Sequence, residues 1–72
     1  MKFNERLREL RLFSACTQKE IAAQLGISVR TFQAYEHGDR EPSLNTLIKI
    51  ADFFEVSLDY LLGRSETSRR SR

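Results

Sequence analysis

Apolar residues recur along this chain three and four positions apart, which is the spacing of helices that bury one face, and turn or capping residues separate these stretches. The pattern predicts five helices, at about residues 3–13, 18–25, 29–37, 44–55 and 58–62. The expected fold class is therefore all-α, a compact five-helix bundle formed by residues 1–63. Residues 64–72 contain no apolar side chain and are predicted to form a disordered basic tail.

The predicted core consists of the apolar residues that share one face of each of the first four helices. They are Phe3, Leu7, Leu10, Ile21, Ala22, Leu25, Phe32, Tyr35, Leu44, Leu47, Ala51 and Phe54. The only cysteine, Cys16, lies between the first two helices, so an internal disulfide is excluded and a small buried apolar role is predicted. A core of this size is marginal, since such a small domain buries only ~60% of its unfolded surface, and dimerisation would stabilise it.

The segment from Gln18 to His37, QKEIAAQLGISVRTFQAYEH, has the spacing of two helices joined by a tight turn. Its signals are a T-x-x-E capping box, a small residue where the helices approach, a turn residue suited to positive φ, and a second cap. They are provided by Thr17 with Glu20, Ala22, Gly26 and Ser28. The spacing indicates a helix-turn-helix and hence DNA as the ligand. A helical hairpin inside an unrelated small bundle is the alternative.

Three sequence blocks, TQKEIAAQLGIS, AYEHG and EPSLNTLIKIADFFEVSLDYLL, carry a family resemblance through their order and spacing. From about Phe3 to Gly63 the chain resembles the phage-repressor and Cro-like helix-turn-helix proteins, also called the XRE family. The resemblance implies a lambda-repressor-like five-helix domain that binds double-stranded DNA. Such proteins usually act as homodimers on two-fold-related operators and repress or activate transcription.

The second helix of a helix-turn-helix enters the major groove with its N-terminal residues toward the base edges. Five residues of that helix lie off its apolar stripe and are predicted to face the bases: Val29, Arg30, Thr31, Gln33 and Ala34. Arg30 can donate two hydrogen bonds to guanine, and Val29 can pack against a thymine methyl group. A phosphate contact is the alternative for Arg30.

A second group of residues is predicted to contact the DNA backbone: Thr17, Gln18, Lys19, Ser28, His37 and Arg40. The resemblance implies a hydrogen bond from Gln18 to a phosphate, assisted by the N-terminal amides of the same helix. For Thr17 the alternative is a purely capping role, and for His37 it is an exposed histidine without function. Asp39 departs from the family, in which a basic residue is common at that position.

The resemblance also implies an ion pair between Arg11, late in the first helix, and Glu36 in the YE-x-G segment. A guanidinium can bind a carboxylate through two parallel hydrogen bonds, which would fix the angle of the recognition helix. Two separately solvated charges are the alternative.

Phe53 lies about 120° round the fourth helix from the core stripe, so a monomer does not readily bury it. Because the fourth and fifth helices lie away from the recognition helix in this fold, a dimer contact is predicted there, formed by Phe53, Leu58, Tyr60 and Leu62. For Leu58 and Leu62 the alternative is that they complete the monomer core. Leu12 and Phe13 replace residues that are usually polar in the family, and they either cover the cysteine or mark another contact.

The net charge of +2 says little by itself, because the basic excess lies in the tail. The segment after Gly63 contains four arginines and one glutamate, whereas residues 1–63 carry eight basic and nine acidic side chains. DNA binding must therefore depend on how charge is distributed rather than on its sum. Lys19, Arg30 and Arg40 lie near the expected DNA face, and the last third of the domain is acidic.

Other function classes find little support in the sequence. With one histidine, one cysteine, no glycine-rich phosphate loop and no metal-ligand cluster, the chain is not expected to be an enzyme or to hold a cofactor, metal or small molecule. No apolar run approaches ~18 residues and no signal-peptide core is present, so a cytoplasmic protein without membrane contact is expected. The sequence therefore predicts a sequence-specific transcriptional regulator, a repressor of the phage or mobile-element kind. An antitoxin-like or adaptor module on the same fold is the alternative.

Overall fold

The computed structural model describes residues 1–68 of the chain. Those residues form five helices and no strand. In chain order the helices are α1 (Phe3–Phe13), α2 (Gln18–Leu25), α3 (Val29–His37), α4 (Leu44–Phe54) and α5 (Leu58–Leu61). The all-α expectation is confirmed, and each helix ends within one residue of its predicted bound.

Local side-chain caps explain where four of the helices begin. At the start of α2 the hydroxyl of Thr17 accepts a hydrogen bond from the Glu20 N–H at 3.0 Å. Serines do the same at the start of α3, α4 and α5, where Ser28, Ser43 and Ser57 accept at 3.1, 3.3 and 3.0 Å. Each cap satisfies an amide that has no carbonyl partner in the first turn of the helix.

The helices end in two different ways. α2 and α3 both end at a glycine in the left-handed region, with φ of 72° at Gly26 and 81° at Gly38. By contrast, Ala15 after α1 and Glu55 after α4 adopt φ of 58° and 56° without being glycine. A non-glycine residue in this region costs roughly 1–2 kcal/mol, so helix packing rather than local preference holds these two connections.

Each helix contributes one side chain to the centre of the core. Leu7, Ile21, Phe32, Ile50 and Leu61 have no exposed surface. Full burial of such a side chain contributes about 1.5–3 kcal/mol, so all five helices depend on one shared centre. Around it, α1 packs against both α3 and α5, while α4 packs against α2 and α5.

The predicted core stripe of α4 is wrong at two positions. Leu44 is 64% exposed, whereas Ile50, which the predicted stripe omitted, is fully buried. Including Ile50 rotates the buried face of α4 toward Phe53 and away from Leu44.

The residues on which the predicted dimer contact chiefly rested, Phe53 and Tyr60, are partly buried within one chain. Phe53 packs against the core and meets the Phe54 ring edge to face, with the ring centroids 5.0 Å apart. The guanidinium of Arg6 on α1 lies 3.7 Å from the centroid of the Tyr60 ring and covers it. The premise that these side chains lack a partner in the monomer is therefore wrong. The other members of the predicted contact are also half-buried, namely Leu58 and Leu62.

Residues 64–68, the first part of the predicted tail, run along the start of α5. The Ser57 N–H donates to the carbonyl of Ser68 at 3.0 Å. This part of the predicted tail thus has a backbone hydrogen-bond partner on the domain, and its disorder stays a prediction. The rest of the predicted tail, residues 69–72, lies outside the described residues.

The connection between α1 and α2 also departs from expectation. Cys16 is half-buried rather than buried, and its thiol donates to the Ser14 carbonyl at 3.6 Å, because this connection runs along the edge of the core. Leu12 and Phe13 are 63% and 90% exposed, so a surface contact is the alternative that remains for them.

Candidate nucleic-acid interface

The two helices α2 and α3 and the turn between them have the geometry that the sequence signals predict. The Thr17 N–H donates to the Glu20 carboxylate at 2.8 Å, which completes the capping box. At the turn, the Ile27 N–H donates to the Ala22 carbonyl at 3.0 Å while Gly26 adopts its left-handed conformation. These bonds fix the direction in which α3 leaves the turn.

The capping box also perturbs an acidic group at the start of α2. Hydrogen bonds from Thr17, first from its backbone N–H and then from its side chain, lower the pKa of Glu20 below its ordinary value of 4.5. The carboxylate is fully exposed, so its ionised form is stabilised by these bonds alone.

Two of the residues predicted to face bases, Arg30 and Gln33, are exposed on α3. Thr31 and Ala34 are half-buried. Val29 is half-buried and packs against the core, so only part of its side chain is free to face a ligand. Val29 follows Ile27 by two residues, and both side chains pack against the core.

The residues predicted to contact phosphates differ in how much of their bonding capacity is already used. Lys19, His37 and Arg40 are exposed. The hydroxyls of Thr17 and Ser28 act as helix caps, and that of Ser28 also donates to a neighbouring hydroxyl at 2.9 Å. Phosphate contacts from these residues stay predictions.

Arg11 and Glu36 form the ion pair that the resemblance implies. Arg11 Nε lies 2.6 Å from Glu36 Oε2, and Nη2 lies 3.2 Å from Oε1, so the guanidinium binds both carboxylate oxygens. The two side chains are only 14% and 1% exposed. This shielded, two-bond contact connects the end of α1 to the end of α3 and opposes rotation of α3.

Gln18 extends this pair to the surface of α3. Its Nε2 donates to Glu36 Oε1 at 2.9 Å, and its Oε1 accepts from Gln33 Nε2 at 3.1 Å. Together Arg11, Glu36, Gln18 and Gln33 are called the polar network below. Sequence reasoning missed the bonds of Gln18, although the i, i+3 spacing of Gln33 and Glu36 places both on one face of α3.

These features define the class of protein. The chain belongs to the helix-turn-helix family HTH_3, which matches residues 7–61 and therefore includes α2, the turn and α3. The resemblance to phage-type repressors of the XRE kind is confirmed by the relatives described next.

The HTH-type transcriptional regulator ImmR of Bacillus subtilis is 39% identical over 71 residues, which are 99% of this chain and 56% of ImmR. The cryptic phage CTXphi transcriptional repressor RstR of Vibrio cholerae is 42% identical over 67 residues, 93% of this chain and 60% of RstR. The chain thus spans between half and two thirds of the length of these relatives.

Solved structures of helix-turn-helix regulators have the same fold. A transcriptional regulator from Listeria innocua superimposes with a TM-score of 0.84 and 31% identity, over 90% of this chain and 61% of that one. The P22 c2 repressor, crystallised with the synthetic operator 9T, also gives a TM-score of 0.84, with 25% identity over 90% of this chain and 98% of the repressor. The lambda-repressor-like architecture is thereby confirmed.

Two further observations concern other kinds of site. Among residues 1–68, no helix has both the length and the apolar character needed to span a membrane. Over the same residues, no three histidine, cysteine or acidic side chains gather closely enough to hold a metal ion.

Proposed function

We propose that this chain forms the DNA-binding domain of a phage-type transcriptional repressor that binds a two-fold-related operator as a homodimer in the cytoplasm. The observation that carries the proposal is the buried pair of Arg11 and Glu36. It holds α3 at a fixed angle to α1, with Arg30 and Gln33 exposed on the outer face of the helix. The likeness to the P22 c2 repressor, whose structure contains an operator, supports the same use of α3 here.

In this proposal α3 enters the major groove and reads base edges. Arg30 donates two hydrogen bonds to a guanine, and Gln33 contacts a neighbouring base pair. The start of α2 faces the adjacent phosphates, where its free backbone amides and the exposed Lys19 attract negative charge. On the other flank, Arg40 follows α3 and meets the backbone of the neighbouring turn.

Local charge, rather than net charge, draws the domain to DNA. Residues 1–63 carry one more acidic than basic side chain, so long-range attraction is weak. Lys19, Arg30 and Arg40 are nevertheless all exposed, and they belong to α2, α3 and the segment after α3. We therefore expect modest affinity for random DNA and a larger gain on the correct sequence.

The test is to select bound duplexes from a random pool and titrate the selected and random sequences at several salt concentrations. The selected site should bind at least ~10³-fold more tightly than random DNA. Its log K should fall steeply with log salt, because each phosphate contact releases counterions. Equal affinity for both would contradict the proposal, and negligible binding even at low salt would favour the adaptor alternative.

Alanine substitutions at Arg30 and Lys19 distinguish a residue that recognises a base from one that contacts a phosphate. Arg30→Ala should cost about 1–3 kcal/mol on the selected site and flatten the preference at one base pair in each half-site. Lys19→Ala is the matched control and should weaken all sequences equally while lowering the salt slope by about one. If Arg30→Ala behaves like Lys19→Ala, Arg30 is a phosphate ligand.

We propose that two copies of this chain contact each other through the surface formed by α4 and α5. Leu44 and Ile48 are 64% and 44% exposed on α4, and Ile48 shares one shallow groove with Leu58. The domain is 30 Å long, so two copies side by side can hold their recognition helices about 34 Å apart, one turn of DNA. The dimer contact proposed here thus differs from the one predicted from the sequence. It uses Leu44 and Ile48, which are exposed in one chain, instead of Phe53 and Tyr60.

Ile48→Asp should therefore raise the dissociation constant of the dimer with little loss of monomer stability. Phe13→Asp is the control, because that side chain is the most exposed large apolar residue of the described chain yet lies on α1. Phe53→Asp should instead lower the stability of the fold, since its ring packs against the core. Sedimentation measures the dissociation constant of the dimer for the three variants. If the Ile48→Asp dimer is as tight as the wild type, the contact is instead expected at Leu12 and Phe13.

A further inference from the structure

The polar network runs from the buried interior to the exposed face of α3. It begins at Glu36, whose side chain is 1% exposed and bound on both oxygens by Arg11. Gln18 then donates to the same carboxylate at 2.9 Å, and Gln33 donates to Gln18 at 3.1 Å. The network thus connects three helices and ends at a residue that faces outward on α3.

The chemistry of these groups allows only one direction of donation. A guanidinium only donates and an ionised carboxylate only accepts, so Gln18 must turn its NH₂ group toward Glu36. The carbonyl oxygen of Gln18 then faces Gln33, which must donate a hydrogen bond to it from its own NH₂ group. Reversing either amide would set oxygen against oxygen or nitrogen against nitrogen. The buried charge pair therefore determines the orientation of an amide at the surface.

The orientation decides what Gln33 offers to DNA. One N–H of its amide is bound to Gln18, which leaves the second N–H and the carbonyl oxygen available. A donor and an acceptor side by side match the N7 acceptor and N6 donor of adenine in the major groove. An unrestrained glutamine could turn over and lose this match, whereas this one is held by Gln18.

We propose that Gln33 reads an adenine in each half-site and that Gln18 is the positioning residue that sets its amide, in addition to any contact of Gln18 with a phosphate. This inference rests on the DNA-binding function proposed above. It changes the role of Gln18: its loss should alter specificity at one base pair rather than weaken every sequence alike.

The test measures binding of each variant to the selected operator and to its single-base substitutions at every position. Wild type should prefer adenine at one position per half-site by about 5- to 150-fold, the discrimination of a bidentate amide pair. Gln33→Ala should reduce that preference to within about 3-fold, because the reading group is gone. Gln18→Met, which keeps the size of the side chain, should remove most of the same preference and leave the other positions unchanged.

Two comparisons make the test specific. Gln24→Met places the same substitution on an exposed residue of α2 outside the polar network and should leave all preferences intact. The double variant Gln18→Met with Gln33→Ala should be no less selective at the adenine position than Gln33→Ala alone, since both act through one contact. Should Gln18→Met fail to fold, as judged by circular dichroism, Gln18→Asn breaks the same bonds by shortening the side chain.

The possible failures are distinguishable. Uniform weakening by Gln18→Met or Gln18→Asn, with the adenine preference intact, would overturn the positioning role while leaving the proposed function in place. An unchanged preference in Gln33→Ala would overturn the reading role. A wild-type protein without preference at any position would overturn the proposed function itself and this inference with it.

Discussion

The helix α1 buries an arginine toward each half of the molecule, and the two arginines are held in different ways. Arg11 faces the α2–α3 half and binds both oxygens of Glu36, which is itself almost completely buried. Arg6 faces α5 and is 6% exposed, yet it lies on the Tyr60 ring and is paired only at 3.5 and 3.7 Å with exposed glutamates. Its Nε atom is buried without a hydrogen-bond partner.

This difference indicates what each half of the molecule requires. Directional hydrogen bonds to a carboxylate fix an angle, and the angle of α3 is what a groove-reading helix needs. The stacking of Arg6 on the Tyr60 ring and the burial of its aliphatic stem are less directional, so they allow small shifts between α1 and α5. They are sufficient to cover the core where α5 packs. The same residue type on one helix therefore serves orientation at one end and packing at the other.

The same substitution at both arginines should separate the two roles, and the largest effect is expected at Arg11. Arg11→Met removes the charge that neutralises Glu36 and leaves a buried carboxylate that still accepts a hydrogen bond from the neutral Gln18 amide. Breaking a buried pair in this way costs about 3–5 kcal/mol, and we expect the lower end of that range because Gln18 remains. Denaturant unfolding measures the loss.

Arg8→Met is the control for this variant, since Arg8 is exposed on the same helix and its substitution should change stability by no more than about 0.5 kcal/mol. An unfolding midpoint for Arg11→Met equal to that of Arg8→Met would mean that the pair does not stabilise the fold.

A smaller effect is expected from the matched change at the other end of α1. Arg6→Met should cost less than about 1 kcal/mol, because the apolar chain keeps the contact with Tyr60 and removes a buried nitrogen that lacks a partner. Arg6→Ala should cost about 2 kcal/mol, since it also loses the packing of the stem. If Arg6→Met were as damaging as Arg11→Met, the charge of Arg6 would matter more than its stacking, and the contrast between the two halves would fail.

Features set by neighbouring residues could be predicted from the sequence, and those set by distant residues could not. Capping by Thr17 and Ser28 acts within one turn of helix, so the helix starts were found correctly. The left-handed Ala15 and Glu55 carry no such signal, because packing imposes them. The burial of Ile50 depends on how α4 is rotated against its neighbours, and a stripe drawn on an isolated helix misses it.

The candidate site shows the same division. The Arg11–Glu36 pair was found through a family resemblance, not through spacing, because its members are 25 residues apart. The bond between Gln18 and Gln33 spans 15 residues and was missed. Arg6 was missed for a further reason: an arginine in an amphipathic helix is ordinarily assigned to the solvated face, and only the position of Tyr60 on α5 shows that it is covered.

The smallest effect is expected from acid, and it concerns the capping box at the start of α2. Glu20 caps α2 through an ionised carboxylate, whereas the caps of α4 and α5 at Ser43 and Ser57 are neutral hydroxyls. Because the pKa of Glu20 is lowered in the folded protein, its contribution to stability is present above the ordinary value of 4.5 and is lost as pH falls through the lowered value. The Thr17 amide resonance, followed by NMR, should therefore titrate with a midpoint below 4.5. Glu20→Gln preserves the capping geometry without the charge and should abolish this titration. A midpoint at or above 4.5 in the wild type would mean that the carboxylate is not held by Thr17 in solution.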